Sequence, residues 1–312
     1  MKQPEELMTN NTVVGFVGLG MMGLPMVEHL AASAGIEVRV HDQSSARIDL
    51  LRAHPAWGQG LQAVASLRHL AVCDVVITML PNSAITDAVV LGDPQKPGLC
   101  SVLKAPTVVV DMGSSHPERT LELAQRLLAS GVALLDAPVS GSVAKARSGT
   151  LSIMVGGPEA AYDRVRAVLQ TMGSQLIRTG EVGSAHAMKA LNNYVYAAGL
   201  LATSEALLVA RRMGLDLDVF AEVLNASSGR NVATETKLRQ FMISREFDGG
   251  FALGLQAKDL ATARSLQQAT GVTAPQMNLC ADLWQQAVNE LEVGVDNTAI
   301  LRLLERQSGI DT

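Results

Sequence analysis

The sequence predicts an α/β domain followed by an all-α domain, and three observations support this prediction. A chain of 312 residues is longer than the roughly 250 to 300 residues at which a single hydrophobic core stops growing. Up to residue 180, short apolar runs alternate with amphipathic stretches, which is typical of βαβ units around a parallel sheet. From Val182 onwards the hydrophobic pattern is helical to the end. We therefore expect domains at residues 1–180 and 181–312.

The strands of the first domain are predicted from seven short apolar runs, and its helices from the stretches between them. These runs cover residues 12–18, 37–42, 74–80, 107–112, 132–139, 151–157 and 174–180. The helix at 117–130 has a start signal, because Ser115 stands three residues before Glu118 as in a capping box. In the second domain we expect helices at 182–212, 216–226, 231–242, 254–270, 275–290 and 296–306, the first of them closed by Gly214.

The composition argues against several classes of protein. A formal charge of −5 without any basic run gives no surface for nucleic acid. No apolar stretch approaches the roughly 20 residues that span a bilayer, and residues 1–11 lack the apolar core of a signal peptide. We therefore expect a cytoplasmic protein that binds neither nucleic acid nor membranes. Cys73, Cys100 and Cys280 show no CxxC pattern and are predicted to be buried thiols, and no metal site is expected.

A glycine-rich loop follows the first predicted strand and precedes an apolar helix. Gly18, Gly20 and Gly23 form a G-x-G-x-x-G pattern, which permits a tight turn, close approach of a pyrophosphate and close helix packing. Asp42 ends the second strand about 20 residues later, where an acid accepts hydrogen bonds from the adenosine ribose. The pattern predicts a Rossmann-like domain that binds NAD, because the 2′-phosphate of NADP would meet a like charge. A plain strand-to-helix turn and a solvated strand end are the alternatives at these positions.

A second loop, residues 136–150, is rich in small residues and follows a predicted buried strand. Gly141 permits a turn that is closed to other residues. The hydroxyl of Ser140 and the N–H groups of Gly141 and Ser142 can form a concavity that binds a small carboxylate. The residues alone favour such a site and a merely glycine-rich connection about equally.

The stretch GSAHAMKALNNYVYAAG, residues 183–199, carries polar groups inside a predicted apolar helix. Lys189 and Asn193 stand one turn apart, on a line that also holds His186 and Tyr196. Since most of the circumference is alanine, methionine, leucine and valine, we expect the helix to be buried almost all round. A buried ammonium must be paired, solvated or able to lose its proton, and it is then suited to general acid–base catalysis. A surface lysine that extends to solvent is the alternative, and this stretch alone does not decide between the two.

With these three motifs in this order and spacing, the chain resembles the β-hydroxyacid dehydrogenases from Val13 to about Leu304. The resemblance implies a Rossmann-like domain and a helical domain that builds oligomer contacts. The implied cofactor-binding residues, besides Asp42, are Gly18, Gly20, Met21, Met22, Gly23, Leu80, Pro81, Asn82, Ser114 and Lys258. The implied substrate-binding residues are Ser140, Gly141, Ser142 and Asn193, and the implied catalytic residue is Lys189.

The sequence departs from the family pattern at three positions. Gly113 stands where the family usually has serine, so that Ser114 alone keeps a hydroxyl for the cofactor in this segment. Ser142 stands where the family often has glycine, and Ala185 replaces the second glycine before the lysine.

The resemblance implies reversible transfer of a hydride between NAD and a small β-hydroxy acid, with NADP as the alternative cofactor. In this reaction Lys189 is the implied acid–base group. The stretch NASSGRN, residues 225–231, is most similar to the 3-hydroxyisobutyrate branch, so 3-hydroxyisobutyrate or a close analogue is the expected substrate. The alternatives are a reductase of 2-hydroxy-3-oxopropionate or another short semialdehyde, and a dinucleotide-binding scaffold without turnover. We expect a homodimer or homotetramer.

Overall fold

The structure, a computed structural model, describes residues 11–93 and 95–310. The chain divides into two compact units, one that ends at Lys189 and one that begins at Ala190. This division falls inside a long helix, and the domain boundary expected between residues 180 and 181 stays a prediction. Residues 1–10, on which the expectation about a signal peptide depends, lie outside the described part of the chain.

The described residues of the first unit form one sheet of nine strands. The strands are β1 (Thr12–Val17), β2 (Ile36–His41), β3 (Leu61–Ala63), β4 (Val75–Thr78), β5 (Val108–Asp111), β6 (Ala133–Asp136), β7 (Val139–Ser140), β8 (Leu151–Gly156) and β9 (Gly173–Gly180). Their order across the sheet is β3-β2-β1-β4-β5-β6-β8-β7, with β9 paired to β8. The first six strands in this order are parallel, which is the doubly wound arrangement of a Rossmann-like domain.

The sheet differs from the prediction at its edges. The sequence does not predict β3 and β7, because runs of three and two residues give no periodic signal. Strand β8 runs antiparallel to β6 and β7 and parallel to β9, so the sheet is mixed on this side instead of wholly parallel.

Helices of the first unit cover both faces of the sheet. They are α1 (Gly23–Ala32), α2 (Ser45–Asp49), α3 (Ser83–Leu91), α4 (Leu99–Val102), α5 (Pro117–Leu128), α6 (Ser142–Arg147) and α7 (Glu159–Gln170). Phe16 packs in one core cluster with Met26, and its neighbour Val17 packs in another with Leu70. Since successive strand residues point to opposite faces, the two clusters lie on opposite sides of the sheet. The central strands β4 and β5 are accordingly buried along their whole length.

The capping box predicted at the start of α5 is wrong. The residue that caps this helix is His116, whose Nδ1 accepts a hydrogen bond of 3.3 Å from the backbone N–H of Glu118. The hydroxyl of Ser115 instead donates to Oδ2 of Asp111 at 2.6 Å. This charge-assisted bond orients the Ser115 side chain toward the end of β5, and His116 takes the N-cap position instead.

The second unit is helical in its described residues. Its helices are α8 (Ser184–Arg212), whose first turns belong to the first unit, α9 (Leu217–Ala226), α10 (Val232–Thr236), α11 (Leu253–Thr270), α12 (Pro275–Glu290) and α13 (Ile300–Gln307). Their core is centred on Trp284, which is fully buried together with Leu200, Leu238 and Leu260. An α/β Rossmann-like domain followed by an all-α region is the fold class that the sequence predicts, and the structure confirms it.

The single helix predicted at residues 231–242 is wrong in its second half. Helix α10 begins at Val232 after the N-cap Asn231, whose side chain forms a capping box with Thr234, and it ends at Thr236. Lys237 then leaves the helical region with a φ of −124°, and its ammonium donates to the carbonyl of Gly249 at 2.6 Å. A π-helix follows from Leu238 to Ile243.

The three cysteines are free thiols. Cys73 and Cys280 are buried as predicted, and burial raises the pKa of each to about 11. Cys100 is only half-buried, which corrects the prediction for this residue.

Across residues 11–93 and 95–310, no helix combines the length and the apolar character that crossing a membrane requires.

Candidate active site

The glycine-rich loop lies between β1 and α1, at the carboxyl end of the sheet. Gly18 has a φ of +103°, and a Cβ atom there would lie 2.4 Å from the carbonyl oxygen of Met79. A Cβ atom on Gly23 would lie 2.0 Å from the carbonyl oxygen of Gly18. Gly20 is exposed, and no described atom lies within 4 Å of a Cβ placed on it. The loop therefore needs glycine at both ends for its fold and leaves open backbone in the middle, which fits the pyrophosphate of a dinucleotide.

Asp42 follows β2 and lies against this loop. Its Oδ2 accepts a hydrogen bond of 2.6 Å from the backbone N–H of Leu19, and its Oδ1 accepts one of 2.8 Å from Ser44. Each carboxylate oxygen has a second lone pair with which it can accept a bond from a ribose hydroxyl. The acid is thus part of the loop's own structure as well as a group that can meet the adenosine ribose.

The ends of β1, β4 and β5 bring three predicted cofactor segments together. A Cβ atom on Gly18 would lie 3.1 Å from the side chain of Leu80, and one on Gly113 would lie 2.7 Å from the carbonyl oxygen of Leu80. The glycine loop, residues 80–82 and residues 113–114 are therefore neighbours, with Ser114 half-buried in the last of them. The crowding at Gly113 also gives a physical reason for a glycine where the family usually has serine.

Asn82 has a local structural task that the sequence does not reveal. It is the N-cap of α3, and its side-chain oxygen accepts a hydrogen bond of 3.0 Å from the backbone N–H of Ile85. This capping bond fixes the direction in which the chain leaves Pro81.

The loop predicted at residues 136–150 contains regular structure. Ser140 ends the short strand β7, and Ser142 begins helix α6, so the description of this stretch as a plain loop is wrong. Gly141 has a φ of +139° and Ser142 a φ of +61°, which turns the chain sharply between the two elements. Ser140 and Gly141 are half-buried and Ser142 is exposed, so none of the three predicted carboxylate-binding residues is fully buried.

The first turn of α8 is held by the end of β6. Oδ1 of Asp136 accepts a hydrogen bond of 2.8 Å from the N–H of Gly183, and Oδ2 accepts one of 2.9 Å from the N–H of His186. Asp136 thus supplies acceptors to amides that have no partner within the helix. Lys189 lies one turn after His186 and is half-buried.

The expectation that this helix is buried almost all round is wrong. Met188, Leu191 and Val195 are 47%, 42% and 67% exposed, whereas His186 and Asn193 are buried. In a single chain the polar line of the helix faces inward and an apolar line faces outward. Surface helices usually bury their apolar residues and expose their polar ones, so composition alone predicts the wrong exposure for the residues of this helix.

Asn193 belongs to the second unit, where it is buried against α11. Its side-chain amide donates to Oδ2 of Asp259, and Lys258 donates to Oδ1 of the same carboxylate at 2.7 Å. Gln256 donates to the backbone carbonyl of Asn193 at 3.0 Å. Two predicted site residues, Asn193 and Lys258, therefore both donate to Asp259. This buried acid orients the amide of Asn193 and positions the ammonium of Lys258.

The sequence places His186 on the polar line of α8 without giving it a contact, and it does not identify Asp111 or Gln256 as parts of these polar clusters. Each is at most 2% exposed. Asp111 could have been found from its place at the end of a buried parallel strand, where polar residues gather in sheets of this kind. Gln256 has no such signal, since it occupies an ordinary position on a helix.

Two family models match the chain, one for each part. The first is described as the NAD binding domain of 6-phosphogluconate dehydrogenase and matches residues 13–180. The second is described as the NAD-binding part of NADP-dependent 3-hydroxyisobutyrate dehydrogenase and matches residues 183–304. Both models describe proteins that bind a nicotinamide dinucleotide.

Several characterised proteins are similar over nearly the full length. The chain is 36% identical over 303 residues to the 3-hydroxyisobutyrate dehydrogenase of Pseudomonas aeruginosa, covering 94% of this chain and 98% of that one. It is 33% identical over 305 residues to the 2-(hydroxymethyl)glutarate dehydrogenase of Eubacterium barkeri, covering 97% and 98%. Among solved structures, the 3-hydroxyisobutyrate dehydrogenase of Mycobacterium tuberculosis with L-serine matches with a TM-score of 0.84, 30% identity and coverage of 94% and 99%.

Proposed function

Because the chain belongs to the β-hydroxyacid dehydrogenase family, we propose that it transfers a hydride between NAD and a small β-hydroxy acid, with 3-hydroxyisobutyrate or a close analogue as its substrate. The observation that carries the proposal is the position of Lys189 on α8. It stands one turn after His186 and one turn before Asn193, on the line of the helix that is polar and faces inward. A lysine at such a position is suited to exchange a proton with a substrate oxygen.

The cofactor is assigned to residues whose geometry fits it. Bound NAD supplies the acceptor for the hydride, or as NADH its donor. We assign the pyrophosphate to the glycine loop, with Met21 and Met22 beside it, and the adenosine ribose to Asp42. The nicotinamide half is assigned to residues 80–82 and Ser114, and Lys258 is expected to reach the cofactor.

The substrate is assigned to the turn at the start of α6 and to α8. Ser140, Gly141 and Ser142 hold the carboxylate through a hydroxyl and backbone N–H groups. In the oxidation, Lys189 takes the proton of the substrate hydroxyl, and in the reduction it returns a proton to the carbonyl oxygen. Asn193 orients the reacting group, since Asp259 fixes the direction of its amide.

The relatives narrow the class of substrate. The acids that they are named for, or are seen with, are 3-hydroxyisobutyrate, 2-(hydroxymethyl)glutarate and L-serine. All three have a hydroxymethyl group and a carboxylate on the same carbon, and they differ in the third substituent, which is methyl, carboxyethyl or ammonium. Glycerate has a hydroxyl there and is the product of the alternative reaction, the reduction of 2-hydroxy-3-oxopropionate.

A substrate panel tests the proposal directly. NADH formation is measured with both enantiomers of 3-hydroxyisobutyrate, serine and glycerate, and with 2-(hydroxymethyl)glutarate. We expect the highest kcat/KM for one enantiomer of 3-hydroxyisobutyrate. A preference for glycerate would support the semialdehyde reductase instead, and no turnover of any member would support the scaffold without catalysis.

The role of Lys189 is tested by Lys189→Ala. Removal of one acid–base group is expected to lower kcat by about 10² to 10⁴-fold. Binding of NADH, measured by fluorescence titration, should stay within about threefold of the native value, since the lysine is assigned to the substrate and a factor of three is below 1 kcal/mol. Lys104→Ala, at an exposed lysine before β5, serves as the matched control. Native turnover in Lys189→Ala would refute the assignment.

We also propose that the protein is a homo-oligomer, a homodimer or homotetramer. Leu191, Val195, Ala202 and Val209 form an apolar face of α8, which we call the α8 apolar face, and Met213 directly follows the helix. Leu191, Val195 and Val209 are 42%, 67% and 59% exposed, and on a helix of 3.6 residues per turn they lie within about 40° of one another. Glu205 is exposed beside this face, and an exposed apolar face of this kind supports packing against a second copy of the chain.

A further inference from the structure

Two buried carboxylates stand at the carboxyl ends of the neighbouring strands β5 and β6. Asp111, 2% exposed, accepts hydrogen bonds from the hydroxyl of Thr78 at 3.0 Å, the N–H of Gly113 at 3.1 Å and the hydroxyl of Ser115 at 2.6 Å. It therefore fixes the turn that carries Ser114. Asp136, fully buried, accepts from the first turn of α8, so it fixes the start of the helix that carries Lys189.

His186 lies between these two carboxylates. Its backbone N–H donates to Asp136, and its ring extends toward Asp111, with Nε2 at 3.9 Å from Oδ2. The other ring nitrogen, Nδ1, is hydrogen-bonded to the hydroxyl of Thr120 on α5 at 2.8 Å. The residue is 1% exposed, and Nε2 has no hydrogen-bond partner among the described atoms.

The contacts of His186 have a steric consequence for the first turn of α8. A ring that is enclosed and hydrogen-bonded at Nδ1 cannot rotate or shift without breaking the bond to Thr120. Residues three apart on a helix project from the same face, so movement at His186 also displaces Lys189. Misplacement of a reacting group by about 1 Å can lower a rate by about 10²-fold.

We propose that His186 is a positioning residue, which acts through its bond to Thr120 to fix Lys189 relative to the turn of Ser114. The inference rests on the proposed function, because it takes Lys189 as the acid–base group. His186 itself contacts no reacting atom in this assignment. The groups it joins, α5, the first turns of α8 and the ends of β5 and β6, all lie in the first unit.

Three substitutions separate this role from simple packing. His186→Leu removes the ring nitrogens and keeps an apolar side chain. His186→Asn keeps a polar atom near the place of Nδ1, within reach of Thr120. Thr120→Val removes the partner hydroxyl, keeps the side-chain volume and leaves the histidine in place.

The kinetic result expected is a loss in kcat that the conservative variant restores. His186→Leu and Thr120→Val should each lower kcat by at least about tenfold, and the double variant should lose no more than the worse single one, because the two residues act as one unit. KM for the hydroxy acid and Kd for NADH should stay within about twofold, a change below 0.5 kcal/mol. His186→Asn should keep kcat within about threefold of native. Equal losses in His186→Asn and His186→Leu, or native kcat in His186→Leu, would overturn the inference.

A second readout does not depend on turnover. In the protein without cofactor, Lys189 is acetylated in competition with the exposed Lys104, and both yields are read by mass spectrometry. We expect His186→Leu to change the relative rate at Lys189 by at least threefold and His186→Asn to leave it unchanged. An unchanged rate in His186→Leu would overturn the inference.

The two readouts distinguish failure of this inference from failure of the proposed function. If Lys189→Ala keeps native turnover while acetylation responds to His186, the proposed function fails and the positioning of Lys189 stands. If Lys189→Ala is inactive and neither kcat nor the acetylation rate of Lys189 changes in His186→Leu, only the positioning role of His186 fails. Should His186→Leu not fold, as judged by circular dichroism, Thr120→Val decides by the same two measurements.

Discussion

The carboxylate of Asp42 serves two purposes at the end of the second strand. Its hydrogen bonds to Leu19 and Ser44 hold the glycine loop and the chain after β2. Its charge is also assigned to discriminate between a ribose hydroxyl and a ribose phosphate. Substitutions at this residue therefore change loop stability and cofactor preference together, and two variants are needed to separate the effects.

Asp42→Asn removes the charge and keeps one strong acceptor, whereas Asp42→Ser loses both backbone bonds by its shorter reach. We expect both variants to raise the ratio of kcat/KM with NADP to kcat/KM with NAD by about tenfold, which corresponds to about 1.4 kcal/mol. The serine variant alone should also weaken binding of both cofactors. Steady-state kinetics with each cofactor provide the measurement. A native preference for NADP, or an unchanged ratio in both variants, would contradict the assignment of Asp42.

At the residue scale, local motifs are predictable and buried partners are not. The glycines of the loop and Asp42 follow from spacing, because the turn and the phosphate impose it within one short segment. The pairing of His186 with Thr120 depends on how α5 packs beside α8, which no short segment encodes. The capping box at Ser115 fails for the same reason, since its hydroxyl is drawn to Asp111 from the preceding strand.

Among the elements, helix α8 shows where periodicity succeeds and where it fails. Its predicted end at Arg212 agrees with the structure, because Gly214 adopts a φ of +70° that closes a helix. The prediction that the helix is buried on almost all sides fails, because an apolar stripe in the sequence does not identify the surface that covers it. Hydrophobic periodicity also does not predict the π-helix at 238–243, since this helix depends on the turn made at Lys237.

The α8 apolar face can be tested as an oligomer contact. Val195→Asp places a charge within the α8 apolar face, and its desolvation would oppose burial against a second chain. We expect native protein to have the mass of a dimer or tetramer by light scattering after gel filtration, and the variant to have a smaller mass at the same concentration. Leu128→Asp, at a leucine of α5 that is 68% exposed, is the matched control away from this face. A monomeric native protein would refute the proposal.

For the whole molecule, the order of strands and helices along the chain was enough to predict the fold class. Short apolar runs that alternate with helices admit few arrangements other than a doubly wound sheet. The mixed edge at β7, β8 and β9 is not predictable in this way, because the connections from β6 to β8 contain only the short helix α6 and permit antiparallel pairing, whereas α7 connects β8 to a parallel β9. The helical second unit follows from the loss of strand patterns after residue 180.

The stability of the whole chain should fall as the pH rises from 9 to 11. The pKa of Cys73 and of Cys280 is raised from 9.0 to about 11 by burial, so the native state keeps protons that the unfolded chain releases. The free energy of unfolding should then decrease by up to about 1.4 kcal/mol per pH unit for each thiol. Urea unfolding across this range measures the slope, and a Cys73→Ala/Cys280→Ala variant should have a shallower one. Equal slopes in the two proteins would contradict the prediction.

The hydrogen bond between Asp42 and the N–H of Leu19 has a consequence for protein engineering. The two segments, residues 18–23 and 42–44, depend on each other, because a side chain at position 42 without an acceptor leaves the Leu19 amide without its partner. Libraries that exchange both segments together should therefore contain more active clones than those that randomise position 42 alone.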